Sequence, residues 1–306
     1  MILVIGEILF DQFPNYRKLG GAPFNFAYHL MKFGFPVRFI SRIGADKPGD
    51  QILDNLRKKD FPSDDIQIDK TKSTGMVNVE LATNGEPKFH ILPDAAYDHI
   101  AYGNIFESMD EDVVKLIYFG SLIQRSDEGY SNLLAFLESI KTSTDCLFDI
   151  NLRPNCINEK AVIDSLRKAD LLKLNVQEFE FLRTMIGQGM ASEQFINHLI
   201  ERYSLKMIAL TKGDDGSELF SPQGYYAIQS RRLEKLSDSV GAGDAYAAIL
   251  AIGHIRKWHP KDILDTATEF ASRICEIEGA IPQSNKFYSS FISEKGSLIN
   301  ESKDVV

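Results

Sequence analysis

The stretch Asp238-Ser-Val-Gly-Ala-Gly-Asp244 carries the densest potential chemistry in the chain. Glycines on either side of Ala242 let the backbone turn tightly with its N–H groups exposed, and the Ala245-Tyr-Ala-Ala-Ile-Leu-Ala that follows is a good helix start. Backbone donors at a helix N-terminus, helped by the positive end of the helix dipole, favour phosphate oxygens and the charge that develops during phosphoryl transfer. Asp244, at the lip of such a site, could accept the proton of a hydroxyl as it attacks phosphorus. The competing reading of Gly-x-Gly-Asp alone is an Asp N-cap after a flexible loop. A dinucleotide fingerprint is a poorer match, because the third glycine is missing and the stretch comes too late for a first βα turn.

Other polar groups fall just after apolar runs that read as strands, where ligands of open α/β sheets bind. Met1-Ile-Leu-Val-Ile-Gly6 is followed by Asp11, a ligand contact or a solvated loop carboxylate. Gly20-Gly21-Ala-Pro-Phe-Asn25 reads as a loop entering a helix, with Pro23 suited to the first turn and Asn25 facing whatever the double glycine lets approach. His29 on that helix has no metal-type partner at a useful spacing and reads as structural. Strand-like alternation over Asp149-Ile-Asn151-Leu-Arg153 would aim three polar side chains the same way, with Arg153 meeting a phosphate bidentately or serving a salt bridge. Asn175-Val-Gln-Glu178 could hold the water shell of Mg²⁺, or simply be a capping box with Asn175 as N-cap. Thr211-Lys212-Gly213-Asp-Asp-Gly216 could lie along nucleotide phosphates or be an ordinary hairpin turn.

These groups need a scaffold. Strands expected at 1–6, 37–44, 113–119, 146–150, 171–174 and 207–210 alternate with helices at 50–59, 132–141, 159–168, 178–185 and 192–203. Short strands at 218–221 and 225–228 and helices at 245–257 and 260–276 complete the pattern. That spacing implies a mainly parallel sheet covered on both faces. Between about 71 and 100 the character changes: Val77-Asn-Val-Glu-Leu alternates, Asn84-Gly85 signals a hairpin, and Lys88-Phe-His-Ile-Leu-Pro supplies a second strand. The excursion reads as a cover for a cleft or as an edge hairpin. After Lys286 the chain is Ser-rich and mixed in charge, and reads as a partly disordered tail.

At 306 residues the chain can bury a sizeable core, and its 44% hydrophobic and 25% charged residues are ordinary for a soluble globular protein. A formal charge of −9, with no long basic run, argues against nucleic-acid binding. Phosphate handling would then rest on backbone N–H groups, a few placed cations and Mg²⁺. Cys146, Cys156 and Cys275 are widely spaced and read as reduced thiols of a cytosolic protein. The opening residues read as a strand and not as a signal peptide, and no apolar run approaches the roughly 20 residues needed to span a bilayer.

Taken together, residues from Met1 to about Pro282 resemble the ribokinase-like sugar kinases, also called pfkB carbohydrate kinases, on two specific signatures: Gly20-Gly21-Ala-Pro-Phe-Asn25 and Asp238-Ser-Val-Gly-Ala-Gly-Asp244. The resemblance implies one kinase domain over 1–306, with a three-layer α/β/α core, a mainly parallel sheet, and a small β lid from about 11–19 and 71–100. It implies Asp244 as the catalytic base, the Gly241-Ala242-Gly243 backbone as an anion hole, and Arg153 against the transferring phosphoryl group. Asp11, Gly20, Gly21 and Asn25 would contact the sugar, and Thr211, Lys212, Gly213 and Gly216 the nucleotide. Asn175 and Glu178 would attend Mg²⁺ through water. ATP and Mg²⁺ are the implied cofactors, with K⁺ beside the anion hole in many relatives, and a cytoplasmic homodimer joined through the lid is the implied assembly. Gly6-Glu-Ile-Leu-Phe-Asp11 and Pro93-Asp-Ala-Ala-Tyr-Asp98 look most like the fructokinases, which implies fructose 6-phosphate as product. Kinases for 2-keto-3-deoxygluconate, ribose or a nucleoside, and a silent sugar-binding regulator, are the alternatives. Two departures stand out: Thr268 where many relatives have an Asn near adenine, and Ile277-Glu278 in place of Arg-Pro.

Overall fold

The computed structural model describes residues 1–81, 87–103, 105, 111–231 and 237–300. In chain order its strands are β1 (Ile2–Ile5), β2 (Leu9–Gln12), β3 (Arg17–Gly20), β4 (Val37–Gly44), β5 (Ile66–Asp69), β6 (Gly75–Leu81), β7 (Pro87–Ile91), β8 (Leu116–Gly120), β9 (Asp145–Asp149), β10 (Leu171–Asn175), β11 (Met207–Thr211), β12 (Ser217–Ser221) and β13 (Gly224–Ile228). A nine-stranded sheet has the order β13-β12-β11-β10-β9-β8-β1-β4-β5, and β3-β2-β6-β7 form a separate four-stranded sheet. The seven strands from β5 to β11 in that order pair in parallel, and the β11–β12–β13 edge is antiparallel.

Strands β1 and β8 are apolar on both faces because both faces are covered. In β1, Ile2 and Val4 enter one core while Leu3 and Ile5 enter the other, and β8 divides Leu116 and Tyr118 from Ile117 and Phe119 in the same way. The first core lies under α1 (Ala22–Lys32), α2 (Lys47–Lys58), α7 (Ala242–Ile255), α8 (Pro260–Cys275) and α9 (Asn285–Glu294). The second lies under α3 (Asp127–Ser139), α4 (Glu159–Lys168), α5 (Val176–Ile186) and α6 (Ser192–Tyr203). The expected three-layer α/β/α arrangement with a small accessory sheet is therefore the observed one.

Three local expectations need correction. The tail after Lys286, expected to be partly disordered, is helical as far as α10 (Gly296–Asn300), because Tyr288 and Phe291 bury against Phe33 and Phe270; its last part, 301–306, lies outside the described residues. Helix α7 begins at Ala242 and not at 245, with Gly241 at φ +83° as N-cap, so Gly243 and Asp244 belong to its first turn. The strand carrying Asp149 stops there, and Asn151 adopts φ +43°, so Asp149, Asn151 and Arg153 do not share a strand face. The hairpin turn expected at Asn84-Gly85 lies outside the described residues. His29 is buried and structural as expected: its Nδ1 lies 2.9 Å from the Tyr288 hydroxyl, and burial drives the imidazole down to about 3, so it stays neutral.

Candidate active site

The parallel strands deliver their C-terminal ends to one cleft, and the small sheet walls it on one side. The cleft encloses about 1640 Å³ and runs from Asp11 and Lys18 on the small sheet, past the start of α7, to Thr268 on α8. Its size suits two ligands end to end better than one small molecule.

At its centre α1 and α7 meet. Gly21 enters α1 at φ +112°, where an added Cβ would lie 2.5 Å from the Glu7 carbonyl oxygen, so only glycine fits this approach of helix to strand end. One turn on, the Asn25 Nδ2 donates to Asp244 Oδ2 at 2.8 Å. The other end of that amide, Oδ1, is buried and has no hydrogen-bond partner among the described residues. A buried orphan acceptor is costly unless a ligand supplies the donor. On the α7 side, a Cβ on Gly241 would meet Ala280 Cα at 2.5 Å, which fixes the left-handed turn that opens the helix. Asp244 is thus not the N-cap: it sits in the first turn, and no protein acceptor among the described residues takes the N–H of Gly243 or Asp244.

The site gathers acids around Arg153, Lys173 and Lys18. Burial pushes Asp244, only 8% exposed, up to about 6; Asp149 adds to the shift, while the Asn25 hydrogen bond, Lys173 and Arg153 oppose it. Burial also pushes Glu7 up to about 7, with Arg153 opposing and Asp244 reinforcing. Asp11 is raised by burial and moderated by Arg153 and Lys18. A general base must be ionised before it can accept a proton, so kcat/KM should fall about tenfold per pH unit below about 6. A pH profile checks this, and a profile flat from pH 5 to 8 would remove Asp244 from that role.

Of the residues singled out in the sequence, Asp11, Gly20, Gly21, Asn25, Arg153, Asn175, Thr211, Gly213, Gly216, Gly241, Ala242, Gly243, Asp244 and Thr268 all line the cleft. Arg153 reaches it from the loop after β9, its Nη1 donating to Asn151 Oδ1 at 2.7 Å. Thr268 pairs its hydroxyl with that of Ser217 at 2.6 Å. Lys212 turns away, its ammonium 2.9 Å from Glu218 Oε1 on β12. Glu178 does not line the cleft: its two oxygens accept the N–H groups of Leu152 and Asn175, and Asn175 Oδ1 accepts from the Glu178 N–H. The pair is a closed capping box with no oxygen set aside for direct metal ligation, and no cluster of three or more metal-type side chains occurs among the described residues.

Among the lining residues that the sequence did not single out, Glu7 and Lys173 are the buried charged ones. Glu7 lies two residues past β1, a carboxylate just beyond the end of an apolar strand. Lys173 is the lone cation inside Leu171-Leu-Lys-Leu174, which is the signal that could have found it.

A three-layer α/β/α core, an accessory sheet over the strand ends and a carboxylate in the first turn of a glycine-led helix define a phosphotransferase of small molecules. Residues 12–286 match the pfkB family carbohydrate kinases, and the chain belongs to that family. It is an ATP-utilising sugar kinase of the pfkB family. A 5-dehydro-2-deoxygluconokinase of Clostridium perfringens is 25% identical over 272 residues, 85% of this chain and 79% of that protein. Among solved structures, an uncharacterized sugar kinase of Pyrococcus horikoshii in complex with ATP matches at 25% identity and TM-score 0.73, covering 92% of this chain and 94% of that one. The fructokinase of Xylella fastidiosa with bound ATP matches at TM-score 0.78 and 20% identity, covering 96% and 98% of the two chains, which speaks for a shared fold. No helix among the described residues is long and apolar enough to cross a membrane.

Proposed function

We propose that this chain transfers the γ-phosphoryl group of ATP to a primary hydroxyl of a sugar, with fructose the first substrate to test and fructose 6-phosphate the product. The observation that carries the reading is the Asn25–Asp244 pair: a buried carboxylate held by an amide whose opposite end lacks a partner, beside free N–H groups at a helix start. In this reading Asn25 Oδ1 and Asp11 accept hydrogen bonds from sugar hydroxyls, and the Gly20-Gly21 backbone lets the ring approach. Asp244 takes the proton of the attacking hydroxyl. The Gly243 and Asp244 amides, with Arg153, stabilise the charge on the phosphoryl group in transit. Thr211, Gly213, Gly216 and Thr268 bound the nucleotide end.

Mg²⁺ enters with ATP as the MgATP substrate, held by phosphate oxygens and water. Asn175, which lines the cleft, would meet that ion's water shell, and Glu178, whose oxygens are engaged in the cap, would act through Asn175. K⁺ beside the Gly241–Gly243 turn is carried over from the family resemblance alone. The whole chain then works as one kinase domain with the small sheet as its lid. A homodimer joined through that sheet is carried over from the family resemblance alone; Tyr16, in the β2–β3 turn, and Phe89 on β7 are exposed but line the cleft. A cytoplasmic location accords with three unpaired cysteines.

Arg153 and Lys18 line the cleft, the latter paired with Glu278 at 2.8 Å, and an acidic sugar that drew Lys18 from that carboxylate is the second reading. Release of ADP from MgATP is measured against fructose, glucose, ribose, 2-keto-3-deoxygluconate and adenosine, with and without K⁺. Fructose should lead the panel. A lead by the keto acid would replace the substrate and keep the chemistry, and sugar binding without ADP release would support a silent regulator instead.

A further inference from the structure

Asp11 on β2 and Lys18 on β3 stand opposite each other in the antiparallel pair, and both line the cleft. Opposite charges at such positions are within easy reach and attract one another. In this chain they stay apart. The Lys18 ammonium donates instead to Glu278 Oε1 at 2.8 Å, in the loop after α8 and 260 residues away in sequence. The half-buried Asp11 carboxylate takes no hydrogen bond or ion pair from any described residue.

Several contacts hold the cations off Asp11. Glu278 lies beside Gly279, whose N–H donates to Asp238 Oδ2 at 3.2 Å, so the carboxylate that holds Lys18 is presented by an anchored loop. The ammonium also lies 6.0 Å from the ring centre of Phe13 and 5.9 Å from that of Tyr16, both in the β2–β3 turn, at the outer limit of a cation–π contact. Arg153, the other cation that acts on Asp11, donates to Asn151 Oδ1. A carboxylate paired with a lysine would have to give up that partner before accepting from a hydroxyl of a ligand, and the competition would weaken binding.

We propose that Glu278 is a positioning residue for the acceptor: it draws Lys18 away from Asp11 and so keeps the Asp11 carboxylate free for a sugar hydroxyl. This rests on the reading that Asp11 contacts the sugar. Glu278, which has no part in the transfer chemistry, then acts on acceptor binding alone.

Glu278→Gln removes the charge that holds Lys18 and lets the ammonium swing to Asp11. With the best acceptor of the panel, the acceptor KM should rise about three- to fivefold, the scale of one partly exposed ion pair, with kcat and the KM for MgATP within about twofold of wild type. Adding Lys18→Met should return the acceptor KM to within about twofold of wild type, because the competing cation is gone. Loss of a merely structural tie between the small sheet and the α8 loop would not be repaired by removing its second partner, so a double variant that fails to recover overturns the proposal. An unchanged acceptor KM in Glu278→Gln overturns it as well, and so does a fall, which would make Lys18 itself an acceptor contact. Asp11→Asn separates the two layers of the reading. If that variant keeps the wild-type acceptor KM, Asp11 does not touch the sugar and the underlying reading fails; if its KM rises while Glu278→Gln has no effect, only the role of Glu278 is lost.

Discussion

Asp244→Asn should lower turnover by about 10²–10⁴-fold, leave ATP and sugar affinity nearly unchanged, and make the protein more stable at neutral pH. The two effects have one cause. Burial raises the folded-state carboxyl from 3.8 to about 6, so the folded chain holds this proton more tightly than the unfolded chain does. Stability therefore declines as pH rises from near 4 to about 6, and above that the full cost of a buried charge is present. A shift of roughly two pH units corresponds to about 3 kcal/mol at most, so a gain of ~1–3 kcal/mol is expected for the neutral amide at pH 7 and little below pH 4. Asparagine can still accept from Asn25 Nδ2, which keeps the α1–α7 contact. Thermal unfolding at pH 7 and pH 4 alongside kcat measures both arms. A variant that loses turnover and stability together would mean that Asp244 is a structural residue, and near-normal turnover would remove its catalytic role altogether.

Arg125→Met should cost about 3–5 kcal/mol of stability and raise the KM for sugar. Its guanidinium, nearly buried, donates from Nε to Asp98 Oδ1 at 2.8 Å and from Nη2 to Asp98 Oδ2 at 2.7 Å. Nη2 also donates to the Leu92 carbonyl at 2.8 Å, just past the end of β7. This one side chain therefore ties the exit of the small sheet to the core beside α3. Removing it strands the buried Asp98 carboxylate and frees the strand that helps wall the sugar end of the cleft. Denaturant unfolding gives the first effect and sugar titration the second. If stability drops but the KM for sugar stays at the wild-type value, Arg125 serves the core without positioning the small sheet.

Much of this architecture was legible because it is written locally. The βα alternation, the Gly20-Gly21 entry to α1 and the Gly241–Asp244 turn each depend on neighbours a few residues away, and the backbone conformations found there are those glycine alone adopts easily. The capping box at Asn175 and Glu178 was visible for the same reason, as one of the two readings of that spacing. What escaped depends on pairing across the chain. Lys173 acquires its meaning from Asp149, 24 residues earlier, and Arg125 from Asp98, 27 residues earlier. The helical tail was hidden differently: serines at 284, 289, 290 and 293 suggested disorder, although Phe287, Tyr288 and Phe291 recur at helical spacing and meet the Phe33–Phe270 cluster. Arg153 was placed in the cleft by an alternation argument that fails, since the strand ends before it; a loop, not a strand face, brings it there.

The most direct test follows the phosphoryl group itself. Phosphorus NMR of wild-type protein with MgATP and fructose should show the γ-phosphoryl signal of ATP replaced by a sugar phosphomonoester and ADP, and Asp244→Asn should slow that conversion by about 10²–10⁴-fold. Conversion of ATP to ADP and inorganic phosphate with no sugar ester, for fructose and for every other acceptor in the panel, would contradict the account.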